Sequence, residues 1–562
     1  MPPTSTFFTE FFQLSKKFWN SRQRVKIRSA AVLLAILTML QMGMAVLITQ
    51  WNAGLFDALE QHSMQGLIRQ SGLLILLFFS GMVLTGLHLT VKRTLQISWR
   101  EWLTNYVAAR WMRAGRHYLL DQVPGGHDHP DARIAEDCRV ATESAVVLGH
   151  SLFYSVLLLV GFTNVLWWRS GVITLDIARA SIPVHGHLVW VAMFYSAVAS
   201  WLGWMVSRPL IGATNARQSA EANFRASLLE AEESSQSIAL IHAEPCERSR
   251  FRALFTGIHT IWDTQTRAWR HILMFGTGYS ILSMAFPVLI SSPRYIAGAI
   301  TLGALIQSAQ AFQHMVSALS WPVDSAGAIA EWRASVERVL GLLKALDKLN
   351  GKLAEPGALI EVRRGESPAL VFRDLSLSRY DGSVLADNIN MEINPGEQVR
   401  ISGNTFAGAK LFRAIAGVRP WGSGIIELPA KGRLFFMPPR PHLPFDTLRY
   451  ALCYPASRRV FTQEQIEQAL RLAGMEHMIT QLDDRVNWKN TLAPSERQRL
   501  GMARLLLNQP LWIFLDQSFD SLDARDEELM LDLIARELPD AALLAITHLP
   551  QGSARFPRQL TL

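Results

Sequence analysis

Long apolar stretches dominate residues 1–320 of the chain. Five of them approach or reach the ~20 residues that a helix needs to cross a bilayer, and they lie near 30–49, 71–91, 144–168, 188–206 and 272–290. A sixth stretch, near 296–321, is weaker because polar residues interrupt it: Gln307, Gln310, Gln313 and His314. It is either a soluble helix or a membrane helix whose polar groups face a water-filled cavity. The pattern as a whole predicts a bundle of six transmembrane helices.

The Lys and Arg residues between these stretches predict their orientation. They are concentrated before the first stretch, between the second and third, and between the fourth and fifth, whereas the alternate loops contain few. Short loops rich in Lys and Arg stay on the cytoplasmic side of a membrane. Both termini are therefore expected in the cytoplasm, and only an even number of spans places the C-terminal portion there.

The predicted cytoplasmic segments are long. Residues 92–143 and 207–271 show helical periodicity with little Pro or Gly, so we expect the membrane helices to continue beyond the bilayer and to carry coupling elements. The composition changes at 344–366, which we interpret as a linker. The predicted organisation is a transmembrane domain at 1–343, a linker at 344–366 and a soluble domain at 367–562.

Composition excludes some classes of protein. The chain is 49% hydrophobic and 18% charged, and soluble domains typically contain ~25% charged residues. The net charge of +8 comes from basic residues between apolar stretches and not from dense blocks with aromatics, which argues against a nucleic-acid partner. Cys138, Cys246 and Cys453 fall in predicted cytoplasmic segments, and their spacing indicates neither a disulfide framework nor a metal site. The first apolar stretch is too long for a cleavable signal peptide.

The C-terminal domain contains five landmarks in a fixed order. They are the aromatic Tyr380, the loop GNTFAGAK at 403–410, the segment LAPSERQR at 492–499, the strand LWIFLD with Asp516 and the following turn Ser521-Leu522-Asp523, and His548. With a predicted strand before the loop and a helix after it, this order favours a P-loop ABC-type nucleotide-binding domain over an unrelated α/β domain. The candidate nucleotide-binding residues are Tyr380, Gly403, Asn404, Thr405, Gly408, Ala409, Lys410, Asp516 and His548.

The loop at 403–410 departs from a working P-loop. Such a loop needs glycines whose neighbouring N–H groups cradle phosphates, a Lys that reaches the β- and γ-phosphates, and a Ser or Thr on Mg²⁺. Here Ala409 occupies the Lys position and Lys410 occupies the Ser/Thr position. Alignment on the following helix shows one residue missing, so Lys410 is expected to act at most as a point charge. Thr405 is the only hydroxyl residue of the loop, and it is misplaced.

The other catalytic positions also differ from the residues that an active ATPase needs. Gln517 replaces the carboxylate expected after Asp516, and Pro439 replaces a metal-sensing glutamine. The signature segment, usually Leu-Ser-x-Gly-Glu, reads Leu492-Ala493-Pro494-Ser495-Glu496. Loss of one transition-state donor typically costs ~10²–10³ in rate. Although the fold is that of an ATPase, we expect ATP hydrolysis to be weak or absent, and we name Asp516, Gln517 and His548 only as catalytic candidates.

The membrane portion contains three further fingerprints: SWREWLTNYVAARW at 98–111, HPDARIAED at 129–137 and EANFRASLLEAEESSQSIALIHAE at 221–244. Together with the C-terminal landmarks, they make the chain resemble the bacterial inner-membrane ABC transporters of the SbmA/BacA–YddA group, which are similar to peroxisomal fatty-acyl half-transporters. The resemblance runs from about residue 15 to the end. It implies an exporter-like six-helix bundle fused to an ABC domain, a homodimer in the bacterial inner (plasma) membrane, ATP and Mg²⁺ as cofactors, and a peptide or other small-molecule substrate.

The resemblance leaves three functions open. The first is a transporter driven by something other than ATP, for which the dense carboxylates Glu221, Glu230, Glu232, Glu233 and Glu244 are proton-coupling candidates. The alternative interpretation of these carboxylates is a solvated helix face. The second function is an ATP-driven transporter with unusual site geometry, and the third is a non-transporting regulator or scaffold.

Overall fold

The structure is a computed structural model that describes residues 4–122, 129–177, 180–353, 359–379, 382–418, 421–456, 460–547 and 555–562. Its internal contacts divide the chain into two compact units. The first, which we call the membrane unit, consists of Met1–Val107 and His129–Gly341. The second, which we call the α/β unit, consists of Ala108–Asp128 and Leu342–Leu562.

The first 353 residues form mostly long helices. In chain order these are α1 (Thr4–Trp19), α2 (Arg24–Glu60), α3 (Met64–Met112), α4 (Arg116–Asp121), α5 (Pro130–Ala132), α6 (Cys138–Ser170), α7 (His187–Glu233), α8 (Ser235–Leu240), α9 (Glu244–Ile296), α10 (Leu302–Asp324) and α11 (Ala326–Leu353). A 3₁₀ turn at Arg113–Gly115 precedes α4, and a π turn at Arg133–Asp137 precedes α6. Two strands that the sequence pattern did not predict, β1 (Val172–Ile177) and β2 (Ala180–His185), form an antiparallel hairpin between α6 and α7.

Five helical segments of the described residues are long and apolar enough to cross a membrane: Arg24–Glu60, Met64–Asp121, Pro130–Ser170, His187–Glu233 and Glu244–Ile296. They contain the first five predicted stretches. They also continue well beyond them, which confirms the predicted helical extensions. The sixth predicted stretch forms α10, which is not among the five because its glutamines and histidine lower its hydropathy.

Helix α10 lies in the interior of the membrane unit. It packs against α2, α6, α7 and α9, and Phe312 at its midpoint is fully buried. Carboxylates at the end of α2 cap its first turn: Asp57 Oδ1 accepts from the Gly303 N–H at 2.8 Å, and Glu60 Oε2 accepts from the Leu302 N–H at 2.9 Å. Negative charge is favourable at a helix N-terminus, so these bonds fix α10 against α2.

The fingerprints of the membrane unit have a packing explanation. Trp99 of the first fingerprint stacks on Phe18 of α1 with ring centroids 5.2 Å apart. Asp137 of the second is buried, and it accepts a hydrogen bond from Nε of Arg338 on α11 at 2.8 Å. Both contacts join residues distant in sequence, which accounts for the specificity of these segments without assigning them a catalytic role.

The described residues of the α/β unit form two larger sheets and one two-stranded pair. Its strands are β3 (Glu361–Arg364), β4 (Leu370–Ser378), β5 (Val384–Ile393), β6 (Gln398–Ser402), β7 (Gly422–Leu428), β8 (Leu434–Met437), β9 (Asp446–Thr447), β10 (Arg485–Val486), β11 (Trp512–Asp516), β12 (Ala542–Ile546) and β13 (Arg558–Thr561). A five-stranded parallel sheet has the order β13-β6-β12-β11-β8, and a four-stranded sheet has the order β3-β7-β4-β5. The short strands β9 and β10 pair with each other.

The helices of this unit are α12 (Thr405–Ile415), α13 (Leu448–Cys453), α14 (Gln463–Leu472), α15 (Trp488–Thr491), α16 (Pro494–Asn508) and α17 (Ala524–Glu537). Helix α12 packs on β6, β11 and β12 of the parallel sheet, whereas α13 and α14 pack against α16. Strands β11 and β12 are continuous apolar runs, as is typical of strands covered on both faces, and Ile513, Phe514 and Leu544 are fully buried. The predicted strands LWIFLD and LLAIT are thus confirmed. The segment 344–366 includes the end of α11 and β3, and its role as a linker stays a prediction.

Two leucines of α17 test this packing. Leu531 is 1% exposed and Leu529 is 52% exposed. We expect Leu531→Ala to lower the free energy of unfolding by ~2–5 kcal/mol because a buried side chain leaves a cavity, whereas Leu529→Ala should change it by less than ~0.5 kcal/mol. Thermal unfolding of the purified full-length chain in detergent measures both. Equal losses would contradict the assigned burial of α17.

Candidate nucleotide site

Helix α12 begins almost directly behind β6. Only Gly403 and Asn404 separate the last residue of the strand, Ser402, from the first residue of the helix, Thr405. The predicted strand and helix around the loop are present, but the helix begins at Thr405 and not near Lys410. Most of the predicted loop is therefore helical, including the candidate residues Thr405, Gly408, Ala409 and Lys410.

Asn404 explains the early start of α12. Its side-chain oxygen accepts hydrogen bonds from the backbone N–H groups of Phe406 at 3.1 Å and Ala407 at 3.3 Å. Its backbone oxygen accepts from the Gly408 N–H at 3.1 Å, and its own N–H donates to the carbonyl oxygen of Leu562 at 3.0 Å. Asn is a favourable N-cap. The four N–H groups of residues 404, 406, 407 and 408 thus already have partners within the chain.

Both glycines of the predicted loop are explained by the local structure. Gly403 has a φ of +84°, a left-handed conformation that glycine adopts without strain. Gly408 faces the sheet, where an added Cβ would lie 2.8 Å from Cδ1 of Ile546 and 3.0 Å from Cγ2 of Ile401. The glycine spacing that resembles a P-loop is therefore also required for close packing of α12 on the sheet.

Lys410 is held beside an aromatic ring. It is 8% exposed, and its ammonium nitrogen lies 4.5 Å from the ring centroid of Phe406, which the guanidinium of Arg379 also approaches at 5.9 Å. Such cation–π contacts stabilise the cation. Two further predicted residues, Tyr380 and His548, lie outside the described residues.

A cavity of about 580 Å³ brings several predicted residues together. Its lining includes Thr405, Ala409, Pro439, Asp516 and Gln517. Asp516 ends β11, and burial raises the pKa of its carboxyl above the usual value, while the nearby Arg413 guanidinium opposes this. Gln517 has a φ of +47°, and its N–H donates to the carbonyl oxygen of Ile546 at 3.1 Å, which joins the ends of β11 and β12.

The signature segment forms the start of α16. Leu492 is buried, Ala493 occupies the N-cap position and Pro494 is the first helical residue. Ser495 follows inside the first turn. The carboxylate of Glu496 accepts from the backbone N–H of Ala493 at 2.8 Å. This helix end therefore has no N-cap hydroxyl, no N–H at its first position, and a carboxylate folded onto it.

Gln498 is a buried polar residue to which the sequence assigned no role. It is 1% exposed. Its Nε2 donates to the carbonyl oxygen of Pro439 at 3.1 Å and to the carboxylate of Asp520, and its Oε1 accepts from the Ser521 N–H at 3.0 Å. It therefore ties the segment after β8 to the turn after β11. Its position in LAPSERQR was visible, but the distant partners were not.

The predicted turn Ser521-Leu522-Asp523 leads into α17. The Leu522 N–H donates to the carbonyl oxygen of Phe519 at 3.0 Å. Asp523 is the N-cap of α17, and its carboxylate accepts from the Asp526 N–H at 2.7 Å. The turn thus has a local structural role in addition to the one that the motif implies.

The end of α3 and the segment after it belong to the α/β unit. The chain reverses at Ala114 and Gly115, which have φ values of +48° and +71°, and α4 follows. The ring of Tyr118 on α4 lies 5.8 Å from the guanidinium of Arg413, which also lines the cavity beside Asp516. The segment after α3, in which we expected a coupling element, therefore contacts Arg413 of the candidate site, and its coupling role stays a prediction.

The predicted proton-coupling carboxylates lie in the membrane unit. Glu221 pairs with Arg217 at 3.0 Å, and Glu230 pairs with Arg250 at 2.8 Å. Glu230 and the other three candidates are exposed, at the end of α7 and the start of α9: Glu232, Glu233 and Glu244. The apolar helices contain a different pair of titratable residues: the Nε2 atoms of His88 and His150 lie 2.7 Å apart, within hydrogen-bond distance. Sequence alone gave no reason to pair these two histidines.

Comparison with known proteins agrees with this architecture. The family described as ABC transporter transmembrane region 2 matches residues 17–296. The inner membrane ABC transporter ATP-binding protein YddA of Escherichia coli (strain K12) is 26% identical over 558 residues, covering 96% of this chain and 95% of the relative. ABC transporter D family member 2, chloroplastic, of Arabidopsis thaliana is 23% identical over 93% of this chain and 81% of its own length. The lysosomal cobalamin transporter ABCD4 of Mus musculus is 23% identical over 77% and 75%.

Long apolar helices followed by a two-sheet α/β domain define a membrane transporter component with an ABC nucleotide-binding domain. The chain is an ABC half-transporter of the kind to which YddA and the D-family transporters belong, and it is a multi-pass inner-membrane protein. Half-transporters of this kind commonly dimerise, and ABC transporters in general bind ATP with Mg²⁺.

The N-cap of α12 can be tested directly. We expect Asn404→Ala to lower the free energy of unfolding by ~1 kcal/mol, because the N–H groups of Phe406 and Ala407 lose their acceptor. Asn404→Asp keeps an acceptor oxygen and is the matched control, for which little loss is expected. Thermal unfolding of the purified chain compares the three proteins. Equal destabilisation by both substitutions would show that the cap does not act through this oxygen.

The buried carboxyl of Asp516 should make the stability of the protein depend on pH. Burial raises the pKa of the Asp516 carboxyl in the folded state, so protonation of this group favours the folded state. This contribution to the free energy of unfolding is fully present below the unfolded-state pKa of ~3.9 and is lost as the pH rises through the folded-state pKa. Asp516→Asn should therefore raise the unfolding temperature at pH 7, and this advantage should shrink as the pH falls towards 4. Unfolding scans in metal-free buffer measure the effect, with the exposed Asp540→Asn as control. An advantage independent of pH would contradict this account.

Proposed function

We propose that the protein is a homodimeric transporter that moves a peptide-like or other small amphipathic substrate across the bacterial inner membrane with weak or absent ATP hydrolysis. The observation that carries the proposal is the Asn404 cap, which occupies the backbone N–H groups of α12. The long apolar helices and the half-transporter family support transport. The basic segments between the apolar stretches support a cytoplasmic location for both termini.

The strand–helix junction does not fit the phosphates of a magnesium nucleotide. A P-loop binds phosphate through free N–H groups in an open loop before the helix, whereas here two residues separate β6 from α12 and the N–H groups at 404 and 406–408 are already bonded. Lys410 lies over Phe406, and no Ser or Thr follows it to ligate a metal. Phosphate binding would require α12 to lose its first turn.

The hydrolytic groups are missing as well. Gln517 cannot accept a proton from the attacking water, which a carboxylate in that position would do. Pro439 presents a ring in place of a polar side chain. Phosphoryl transfer depends on positioned charges around the transferring group, and removal of one such donor typically costs ~10²–10³ in rate. The combined losses favour a domain without measurable turnover.

Dimerisation does not restore the site. In ABC dimers the P-loop of one chain faces the signature segment of the other. In the signature segment of this chain, Ala493 and Ser495 stand where the usual motif has Ser and Gly, so the hydroxyl of the usual Ser is missing. Because both halves of the site depart in the same chain, a homodimer has two altered sites and no intact one.

The energy source is then an ion gradient, and the predicted carboxylates Glu221, Glu230, Glu232, Glu233 and Glu244 are proposed as its proton-coupling groups. They lie near the end of α7 and at the start of α9, in the segment 207–271 that the charge pattern predicts to be cytoplasmic. Two alternatives have different consequences. An ATP-driven transporter requires rearrangement of α12, and a non-transporting regulator or scaffold requires only that the α/β unit fold and dimerise.

ATPase measurements test the altered site. We expect the purified chain to show no Mg²⁺-dependent, vanadate-sensitive ATP hydrolysis above background. Gln517→Glu, which returns the missing carboxylate, should not create activity, because the N–H groups of α12 stay capped. Vanadate-sensitive hydrolysis by the unmodified chain would overturn the proposal in favour of the ATP-driven alternative.

Uptake in proteoliposomes tests the energy source. Uptake of labelled peptides should collapse with an uncoupler and should be insensitive to ATP depletion. The opposite dependence would support the ATP-driven alternative. Absence of uptake for peptides and for small amphipathic compounds, in vesicles that show the dimer by crosslinking, would support the scaffold alternative.

A further inference from the structure

Two histidines of the membrane unit, which we call the histidine pair, contact each other directly. The Nε2 atoms of His88 on α3 and His150 on α6 lie 2.7 Å apart, and the ring centroids are 4.5 Å apart. His88 is buried and His150 is half-buried. The two residues lie near the ends of predicted spans, 71–91 and 144–168, that adjoin the segment 92–143. The charge pattern predicts this segment to be cytoplasmic, so the pair is expected near the cytoplasmic end of these spans.

Further contacts hold the two rings in place. Nε2 of Gln96 on α3 donates to the carbonyl oxygen of Glu143 on α6 at 3.1 Å, and Arg100 of α3 pairs with the Glu143 carboxylate at 3.2 Å. Helix α6 is also joined to α10, because Nε1 of Trp321 donates to the hydroxyl of Ser151 at 2.9 Å. The register of α3 against α6 is therefore fixed around the histidine pair by bonds that do not involve an imidazole.

The histidine pair has a cationic neighbour, Lys92. This residue lies one turn beyond His88 on α3 and interacts electrostatically with both rings. Tyr154, one turn beyond His150 on α6, is a second titratable neighbour, with its ring centroid 6.5 Å from that of His150. In the part of the chain that the structure describes, no carboxylate oxygen lies within 4.0 Å of a ring nitrogen of the pair. The side chains that α1, α2 and α10 bring to this region are not titratable: Trp19, Leu34, Thr38 and Trp321. Because a cation disfavours a second positive charge beside it, the resting pair is neutral.

A neutral pair at this distance constrains where its protons lie. An N–H···N bond needs a donor Nε2 on one ring and an acceptor Nε2 on the other, so one ring carries its proton on Nε2 and the other carries it on Nδ1. Neither Nδ1 atom has a hydrogen-bond partner among the described residues. One Nδ1 therefore has a free lone pair and the other has a free N–H, whichever ring is the donor.

His150 lines a cavity that is large enough for water. The cavity has a volume of about 220 Å³, and a water molecule fills ~30 Å³ in the liquid, so there is room for more than one. Its lining comes from α1, α2, α3 and α6, and it includes the hydroxyl residue Thr38 as well as His150. The ring of His150 thus has a place from which it can exchange a proton with water.

We propose that His88 and His150 form a proton relay between α3 and α6 that serves gradient-driven transport, an inference that rests on the proposed function. A proton from hydronium binds the free Nδ1 of the first ring, which becomes an imidazolium with a charge-assisted bond to its partner. The shared proton then crosses to the second Nε2, and the second ring releases its own Nδ1 proton to water. One N–H bond forms and one breaks on each ring, so a proton has passed and both rings are neutral again. The charge of Lys92 favours this release.

Nitrogen NMR of the full-length chain, with isotope-labelled histidine in phospholipid nanodiscs, tests the relay without a substrate. Each passage of a proton reverses the direction of the bond between the Nε2 atoms. We therefore expect a scalar coupling between two histidine nitrogens, exchange of both rings between their two tautomers, and faster exchange as the pH falls from about 8 to about 5. His88→Gln and His150→Gln should remove the coupling. The matched control is His314→Gln, which should keep it, since His314 stacks on Phe162 and not on an imidazole. A coupling with both rings fixed in one tautomer would identify a static contact and overturn the relay, as would absence of the coupling.

Uptake measurements test the link to transport. The probe is the labelled peptide that the unmodified chain accumulates in proteoliposomes under a proton gradient. Gln can form hydrogen bonds but cannot take up a proton, so accumulation should fall at least about tenfold in His88→Gln and in His150→Gln. Exchange of internal for external peptide without a gradient needs no net proton transfer, and it should persist in both variants. The control is His259→Gln, since His259 lies on the exposed part of α9 before its apolar stretch, and this variant should accumulate peptide normally.

The relay and the proposed function fail in different ways. If the unmodified chain accumulates peptide under a proton gradient and both variants of the pair equal it, the relay is overturned and the proposed function stands. If these variants lose exchange together with accumulation, the pair has a structural role and the relay is overturned. If the unmodified chain accumulates nothing under a gradient, the proposed energy source fails, and the NMR result by itself then supports or overturns the relay.

Discussion

The hydrogen bonds that the Asn404 side chain accepts from the first turn of α12 determine the geometry of the junction between β6 and α12. A nucleotide-binding junction leaves its N–H groups free, and their dipoles then attract phosphate. Here the side-chain oxygen of Asn404 takes that position towards Phe406 and Ala407. The bonds draw the helix start back to Thr405, and Gly408 becomes a packing residue against Ile546. The same glycine spacing therefore serves a closed helix and not an open cradle.

The two helix termini that an ABC dimer brings to one nucleotide are both closed by the chain's own side chains. The cap of α12 is an amide, and that of α16 is the carboxylate of Glu496, which bonds to the Ala493 N–H. A ligand that displaces such a cap loses binding free energy about equal to the stability that the cap gives the helix. The Glu496 bond is compatible with the usual motif, which has Glu at this position, so the departures in the signature segment are Ala493 and Ser495. Under the proposed function, these departures and the capped start of α12 weaken nucleotide binding together, although Asp516 and Asp523 keep the expected residue types.

Much of the fold could be predicted from periodicity and landmark order. The five strongest apolar stretches lie within long helices, and the predicted strand before the P-loop and helix after it are present. Local chemistry was harder to predict. The N-cap role of Asn404 and the early helix start depend on a side-chain rotamer, and the partners of Gln498 lie at Pro439 and Ser521, distant in sequence. Such contacts leave no period or motif in the chain. The histidine pair in the apolar helices was unpredicted for the same reason.

Arg413 connects the candidate nucleotide site with the segment that follows α3. It lies beside the buried carboxyl of Asp516, whose pKa it opposes, and beside the ring of Tyr118 on α4. Helix α4 follows directly from the end of α3, and Leu119 and Leu120 of α4 are buried in this unit. Those contacts depend on the packing of α12 on the sheet, which the Asn404 cap stabilises. These contacts need the packing of α12 and no phosphate, so they are compatible with the proposal that ATP hydrolysis is weak or absent.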